Sequence, residues 1–279
     1  MTGLLRRLLS KERDLRMVWE LEKAGRRSYL IGTAHFFPYH FTGSFRRYIG
    51  RAETALFEGP LDDAATGQVI ESGFGEAEGF SLGDALDERT IGKINEELGE
   101  PSAALISHQL YRGLFGGNRS ELCVDLKGLK PWMAFYRIWA RYLRKHGWKY
   151  TMDRDASAIA AELGKNVAHL ETIEEQIEAL NGVPLERFVS FLKGMEWKKH
   201  RGEYVRRYLA GDLEGLTAAA RRFPTFCESI IDKRDPILYE RMVSYVERGD
   251  AIAFVGVAHC KGITERFLRD GYRVAKVMV

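Results

Sequence analysis

The sequence predicts an α/β fold: a central mixed or mostly parallel sheet flanked by helices, with a helical insertion after the second strand. Three observations lead there. Five short apolar runs have the length and bounding residues of buried strands. Segments of helical periodicity lie between them, the alternation that builds a helix-covered sheet. Two of the runs, in YLIGTAHFF (Tyr29–Phe37) and FVGVAHCKG (Phe254–Gly262), carry a glycine followed three positions later by a histidine.

The elements follow in order. Residues 1–18 begin MTGLLRRLLSKERDLR, an apolar-basic stretch without a continuous apolar region or a small-residue cleavage site, and read as an amphipathic lead-in. Residues 19–279 are expected to form a single α/β domain. The first strands are Tyr29–Ile31 and Ala55–Phe57, and the helical insertion is placed at about 60–130. Within it, ESGFGEAEGF is expected to be loop and SLGDALDERTIGKINEELG a capped helix or a pair of helices. PWMAFYRIWARYLRKHGWKY mixes basic and aromatic residues, but Phe135, Ile138, Trp139, Tyr142 and Leu143 recur at helical spacing. It therefore reads as a helix with a buried face and a solvated basic face, not as a nucleic-acid or membrane surface. Lys130, just before it, is a candidate to line a cleft and hold an acidic substrate group.

Val167–Leu170 is the third strand. Thr172 and Glu175 are spaced as a capping box, with Asn181 and Gly182 as the stop. Leu185–Leu209 predicts one or two amphipathic helices. Asp235 is placed as an N-cap, with Pro236 at the first helical position and Gly249 at the end. Ile252–Val257 and Val274–Val279 complete the sheet.

Composition narrows the function classes. With 45% hydrophobic and 29% charged residues the 279-residue chain is that of a soluble globular protein. No apolar run approaches the roughly 20 residues of a spanning helix. A net charge of +3 gives no reason to expect a nucleic-acid partner. Cys123, Cys227 and Cys260 are odd in number and far apart, so neither a disulfide framework nor a thiolate zinc site is expected. The chain reads as cytoplasmic, acting on a peptide or small molecule, with a homo-oligomer left open.

The chemistry is expected just beyond the strands. His35, Glu58, Glu171 and His259 each follow a predicted strand, and ligands of open α/β sheets bind beyond the strands' carboxyl ends. Gly32 and Gly256 are expected to leave room for a ligand or backbone, and each histidine to project from a rigid strand end. Two imidazoles and a carboxylate suit a divalent metal such as zinc, manganese or cobalt, with the spare carboxylate as general base. Plainer readings stand beside these. A histidine at a strand end is usually structural, Glu58 suits a turn or cap, and Glu171 suits the first turn of a helix. Cys260 reads as a soft ligand, a nucleophile or a small buried residue, and His169 as packed or facing a helix.

WELEKAGRRSYLIGTAHFFP, AETALFEGP, LKPWMA, MDRDASAIAAELGKNVAHLETIEEQIEAL and IAFVGVAHCKGITERFLRDGYRVAKV resemble the TraB/PrgY/GumN family, which includes the Tiki proteins. The resemblance implies an α/β fold and a metal-dependent hydrolase with peptidase-like activity. It places the metal on His35, Glu58 and His259, and adds Glu171 and Arg234 to the catalytic set. The family's arginine is usually followed by asparagine, whereas Asp235 stands here. The wider superfamily, with erythromycin-esterase-like and haem-binding ChaN-like members, implies two alternatives. One is a metal-independent esterase-like hydrolase, the other a non-catalytic regulator that binds a peptide or haem.

Overall fold

The computed structural model describes residues 11–75, 81–98, 126–195 and 197–277. Six strands form one mixed sheet in the order β4-β3-β5-β2-β1-β6. They are β1 (Val18–Lys23), β2 (Arg26–Thr33), β3 (Thr54–Phe57), β4 (Asn166–His169), β5 (Ala251–Gly256) and β6 (Arg273–Lys276). β4, β3, β5 and β2 are mutually parallel, and β1 pairs antiparallel with both β2 and β6.

The strand β1 is an addition to the sequence reading. Ala24 and Gly25, both at positive φ, turn the chain between β1 and β2 in two residues, the geometry of a tight hairpin. The lead-in therefore gives way to the sheet at Val18, and Leu15 and Met17 ahead of it are already fully buried. Residues 1–10 of that lead-in lie outside the described residues, as do Cys123 and most of GEAEGF.

The helices are α1 (Thr42–Ile49), α2 (Asp63–Ser72), α3 (Glu88–Leu98), α4 (Pro131–Lys145), α5 (Met152–Glu162), α6 (Ile173–Asn181), α7 (Leu185–Lys193), α8 (Trp197–Ala210), α9 (Leu213–Ala220), α10 (Arg234–Arg248) and α11 (Val257–Arg269). Period-2 alternation assigns some of them to opposite sheet faces. Tyr29 and Phe254 meet Tyr48 and Phe45 of α1 on one face. On the other, the Ser28 hydroxyl donates to the Val246 carbonyl of α10, and Gly32 lies against α11.

Local signals explain the helices. In α6 the Thr172 side chain accepts from the Glu175 N–H, while Glu175 accepts from the Thr172 N–H, the expected capping box. In α4 the five spaced apolar residues are all buried. Leu185–Leu209 resolves into the two helices α7 and α8. α10 departs from expectation: Lys233 is its N-cap, so Asp235 is its second residue and Pro236 its third. Proline costs nothing there, because the first four helical N–H groups have no intrahelical acceptor.

Between β3 and Pro131 the described residues hold α2 and α3, and further helices follow on both sides of β4. α2, α4, α6 and the 221–231 segment bring side chains to a cleft at the sheet's carboxyl edge. The buried apolar side chains form one connected cluster.

Candidate functional site

Parallel pairing sets the strand ends side by side. Thr33 is in register with Gly256, and Phe57 with Phe254 and His169. Glu58 follows β3 directly, and Glu171 continues the ladder beyond β4, its N–H donating to the Glu58 carbonyl at 2.6 Å. His35 lies in the loop two residues after Thr33. His259 differs from expectation: β5 passes into α11 without a loop, and the histidine sits in the helix's first turn instead of on a strand end.

Arg234, the first residue of α10, ties the two glutamates together. Its Nε donates to Glu171 Oε1 at 2.8 Å, and its Nη2 donates to Glu171 Oε2 at 2.6 Å and to Glu58 Oε2 at 2.8 Å. Its Nη1 is 3.4 Å from His259 Nε2. Burial opposes the guanidinium charge, but Glu58 and Glu171 hold its pKa above the ordinary arginine value. The other Glu58 oxygen accepts the Gly256 N–H. Burial pushes the Glu58 pKa up, yet Arg234, His259, His35 and that N–H together bring it down to about 2. Glu58 is thus an ionised carboxylate.

Each histidine rests on an aspartate. His259 Nδ1 is 2.7 Å from Asp235 Oδ1, and both side chains are at most 5% exposed. His35 Nδ1 is 2.9 Å from Asp153 Oδ2, while the Thr33 hydroxyl donates to the other Asp153 oxygen. Asp153 and Asp235 are both the second residue of a helix, α5 and α10. Desolvation in the cleft pulls the His35 pKa down, but the hydrogen bond and charge of Asp153 outweigh it and raise the pKa to about 9. The ring is 69% exposed, so water in the cleft screens part of that effect.

The two glycines act differently. A Cβ on Gly256 would stand 3.2 Å from Glu58 Oε1 and 3.5 Å from His259 Cδ2, so this glycine clears space for the site itself. A Cβ on Gly32 would meet Cys260 Sγ at 2.9 Å and Val257 Cγ2 at 3.0 Å, so Gly32 admits the packing of α11, not a ligand. A Cβ on Gly262 would overlap Asp235 Oδ2. Cys260 is fully buried, and desolvation holds its thiol protonated.

His35, Glu58, Asp153, Arg234, Gly256 and His259 form the floor of a cleft of about 410 Å³. Its walls come chiefly from α2, α4, α6 and the 221–231 segment, with α8 and α9 completing them, and they are mostly aliphatic and aromatic. Lys130 is not part of the lining. His200, without a Gly-x-x-His setting, is. His169 lies exposed on the edge strand β4.

The donor set is chemically suited to a divalent cation. With Nδ1 held by a carboxylate, each imidazole has Nε2 left for a ligand, the arrangement that orients metal-binding histidines. The spacing is not that of an assembled shell. Among the described residues no group of three or more His, Cys, Asp or Glu is placed to hold a metal ion, and Arg234 already shares Glu58.

Sequence reasoning named His35, Glu58, Glu171, Arg234 and His259, and the structure brings them to one strand edge. It missed Asp153, and took Asp235 for a cap. The available signal was an acid at the start of a helix, in MDRDAS and again in RDPILY.

Fold and site together define an α/β protein with an ionisable cluster in a cleft at the carboxyl ends of parallel strands. The chain belongs to the TraB/PrgY/gumN family, whose sequence profile matches residues 17–276. No individual curated protein matches it. Among the described residues no helix is long and apolar enough to cross a membrane.

Proposed function

We propose that this protein is a hydrolase of amide or peptide bonds, working at His35, Glu58 and His259. The carrying observation is the paired histidine–aspartate arrangement: two imidazoles, each fixed through Nδ1, frame an ionised glutamate at the floor of an apolar cleft.

In this reading His35, His259 and Glu58 would hold a divalent ion, zinc, manganese or cobalt. When bound, such an ion polarises a carbonyl and lowers the pKa of water to about 7. Asp153 and Asp235 fix the ring tautomers and orientations. Arg234 presents its guanidinium to the oxyanion that develops on the scissile carbonyl. Glu171, its side chain 1% exposed and engaged by Arg234 through both oxygens, positions that arginine and does not move a proton.

One observation favours a second reading, metal-independent ester hydrolysis at His35 and Glu58. Arg234 already supplies a cation against both Glu58 and His259 Nε2. Metal content and hydrolysis of amide and ester substrates, before and after exhaustive chelation, separate the two. Metal bound in proportion to protein and lost in His35→Ala and His259→Ala supports the first. Ester turnover unchanged by chelation overturns it in favour of the second.

A further inference from the structure

The charged side chains that line the cleft fall into two groups. Those of the floor hold one another: Arg234 commits Nε to Glu171, Nη2 to Glu58 and Glu171, and Nη1 lies against His259, while Asp153 holds His35. Outside the floor the lining is aliphatic, aromatic or hydroxylic, apart from Gln176, His200 and a second arginine, Arg154. Among the described residues no lysine lines the cleft, so Arg154 is its one fixed cation beyond the floor.

Local structure does not ask for a cation there. Arg154 is the third residue of α5, in a first turn where the positive end of the helix favours acids, and Asp153 and Asp155 on either side of it follow that rule. Thr151 does not cap this end with its side chain. Guanidinium and helix end therefore add their positive fields at one place, a combination that favours an anion.

Arg154 is also lightly used. Its ion pair runs from Nη2 to Asp63 Oδ1 at 3.2 Å, and Asp63, the first residue of α2, is 70% exposed and outside the lining. Water screens a one-point pair of this kind, which holds a fold together only weakly. The Arg154 side chain is itself only 26% exposed, and a planar two-point contact with a carboxylate inside the cleft would outweigh the contact with Asp63. Its position suits substrate. Arg154 follows the residue that holds His35, and the chain between Glu58 and Asp63 also lines the cleft through Pro60 and Leu61.

Resting on the hydrolytic reading above, we propose that Arg154 determines specificity, and that the substrate is an amide with an apolar body and a carboxylate that Arg154 receives by a two-point contact. The carboxylate is the free end of a peptide or an acidic side chain beside the scissile bond. Both present the same planar anion, and the apolar walls take the remainder.

The test uses two matched pairs of probes on the full chain with Mn²⁺, Co²⁺ or Zn²⁺ present: acetyl-Leu-Phe against its N-methylamide, and acetyl-Leu-Glu N-methylamide against acetyl-Leu-Gln N-methylamide. Release of the last residue is read by chromatography. In at least one pair the acid is expected to show a kcat/KM at least tenfold above its neutral partner, chiefly through KM, and the pair that does so names the source of the carboxylate. Arg154→Gln should bring that ratio close to one with turnover of the neutral probe kept, and Arg154→Lys should restore part of it, as a charge without the fork. Asp63→Asn removes the competing carboxylate and should widen the ratio. If Arg154→Gln fails to fold, the wild-type and Asp63→Asn ratios decide. Turnover with equal kcat/KM in both pairs, or equal losses on acid and neutral probes in Arg154→Gln and Asp63→Asn alike, overturns the carboxylate site and leaves the hydrolase standing. Calorimetry reads the site without turnover: an acid probe bound at least tenfold tighter than its neutral partner, with no hydrolysis of either, keeps the carboxylate site and overturns the hydrolase. Neither binding nor hydrolysis of any probe overturns both.

Discussion

Arg234 binds Glu171 and Glu58 through the same nitrogen, Nη2, at 2.6 and 2.8 Å. One cation is therefore shared by two carboxylates on adjacent strand ends. Arg234→Ala leaves both carboxylates inside the fold without their partner, with an expected cost of about 3–5 kcal/mol. Urea unfolding measures it. Arg234→Lys keeps the charge but not the planar fork that reaches both acids, so it recovers only part of the loss. Full recovery with lysine would mean that charge alone matters there.

Asp235→Asn tests the histidine–aspartate pairs. The amide keeps the shape but no longer favours an N–H on His259 Nδ1, so metal affinity or turnover is expected to fall about 10–100-fold with little change in unfolding midpoint. Asp153→Asn should do the same through His35. An unchanged turnover in both variants would remove these aspartates from the working site.

The two Gly-x-x-His glycines should separate stability from activity. Gly32→Ala drives a methyl into Cys260 and Val257 and is expected to cost about 1–3 kcal/mol. Gly256 has an ordinary φ of −53°, so alanine suits its backbone, and the methyl presses on Glu58 and His259 instead. Gly256→Ala is expected to fold nearly as well as wild type while losing turnover. Thermal melts and an amide-hydrolysis assay on both variants check this.

Two pH windows follow for metal-free protein. The folded-state pKa of Glu58, about 2, lies below its ordinary 4.5. Its contribution is therefore complete above pH 4.5 and is lost as pH falls through 2. His35 is raised from 6.5 to about 9, so its contribution is complete below pH 6.5 and is lost as pH rises through 9. The second effect is the smaller, since the His35 ring is 69% exposed. Urea midpoints for wild type, Glu58→Gln and His35→Gln at pH 2.5, 6 and 10 should show each variant flattened in its own window.

Arg187 of α7 holds the cleft wall from outside. Its Nε donates to the Pro224 carbonyl at 2.7 Å, and its Nη2 to those of Phe226 at 2.7 Å and Phe223 at 3.0 Å. Arg187→Ala is expected to cost about 2 kcal/mol and to raise KM more than it lowers kcat, because the floor is untouched. Equal effects on both constants would argue that the wall also aligns the floor.

Much of the fold was legible because buried parallel strands write themselves as short apolar runs, and the capping box of Thr172 and Glu175 marks α6 directly. β1 was not, since WELEK alternates charges with apolar residues and its partner is set by a turn at Ala24, not an obvious Gly-Asn pair. The site was legible as far as residues stand next to strand ends. Asp153 and Asp235 were obscured because an acid in a first turn satisfies the helix dipole equally well, and only the tertiary approach of a histidine tells the two uses apart. His259 was placed on a strand end because nothing in FVGVAHCKG says that a helix begins the moment the strand stops.

That direct join of β5 to α11 makes the site unequally tolerant of length changes. His35 sits between Thr33 and Thr42, outside any helix, so its direction is not tied to a helix axis. His259 is so tied: one residue inserted between Gly256 and His259 would turn the ring by about 100° around the helix axis, away from Asp235 and Glu58 alike. The phase of the His259 half of the site is therefore locked to the sheet.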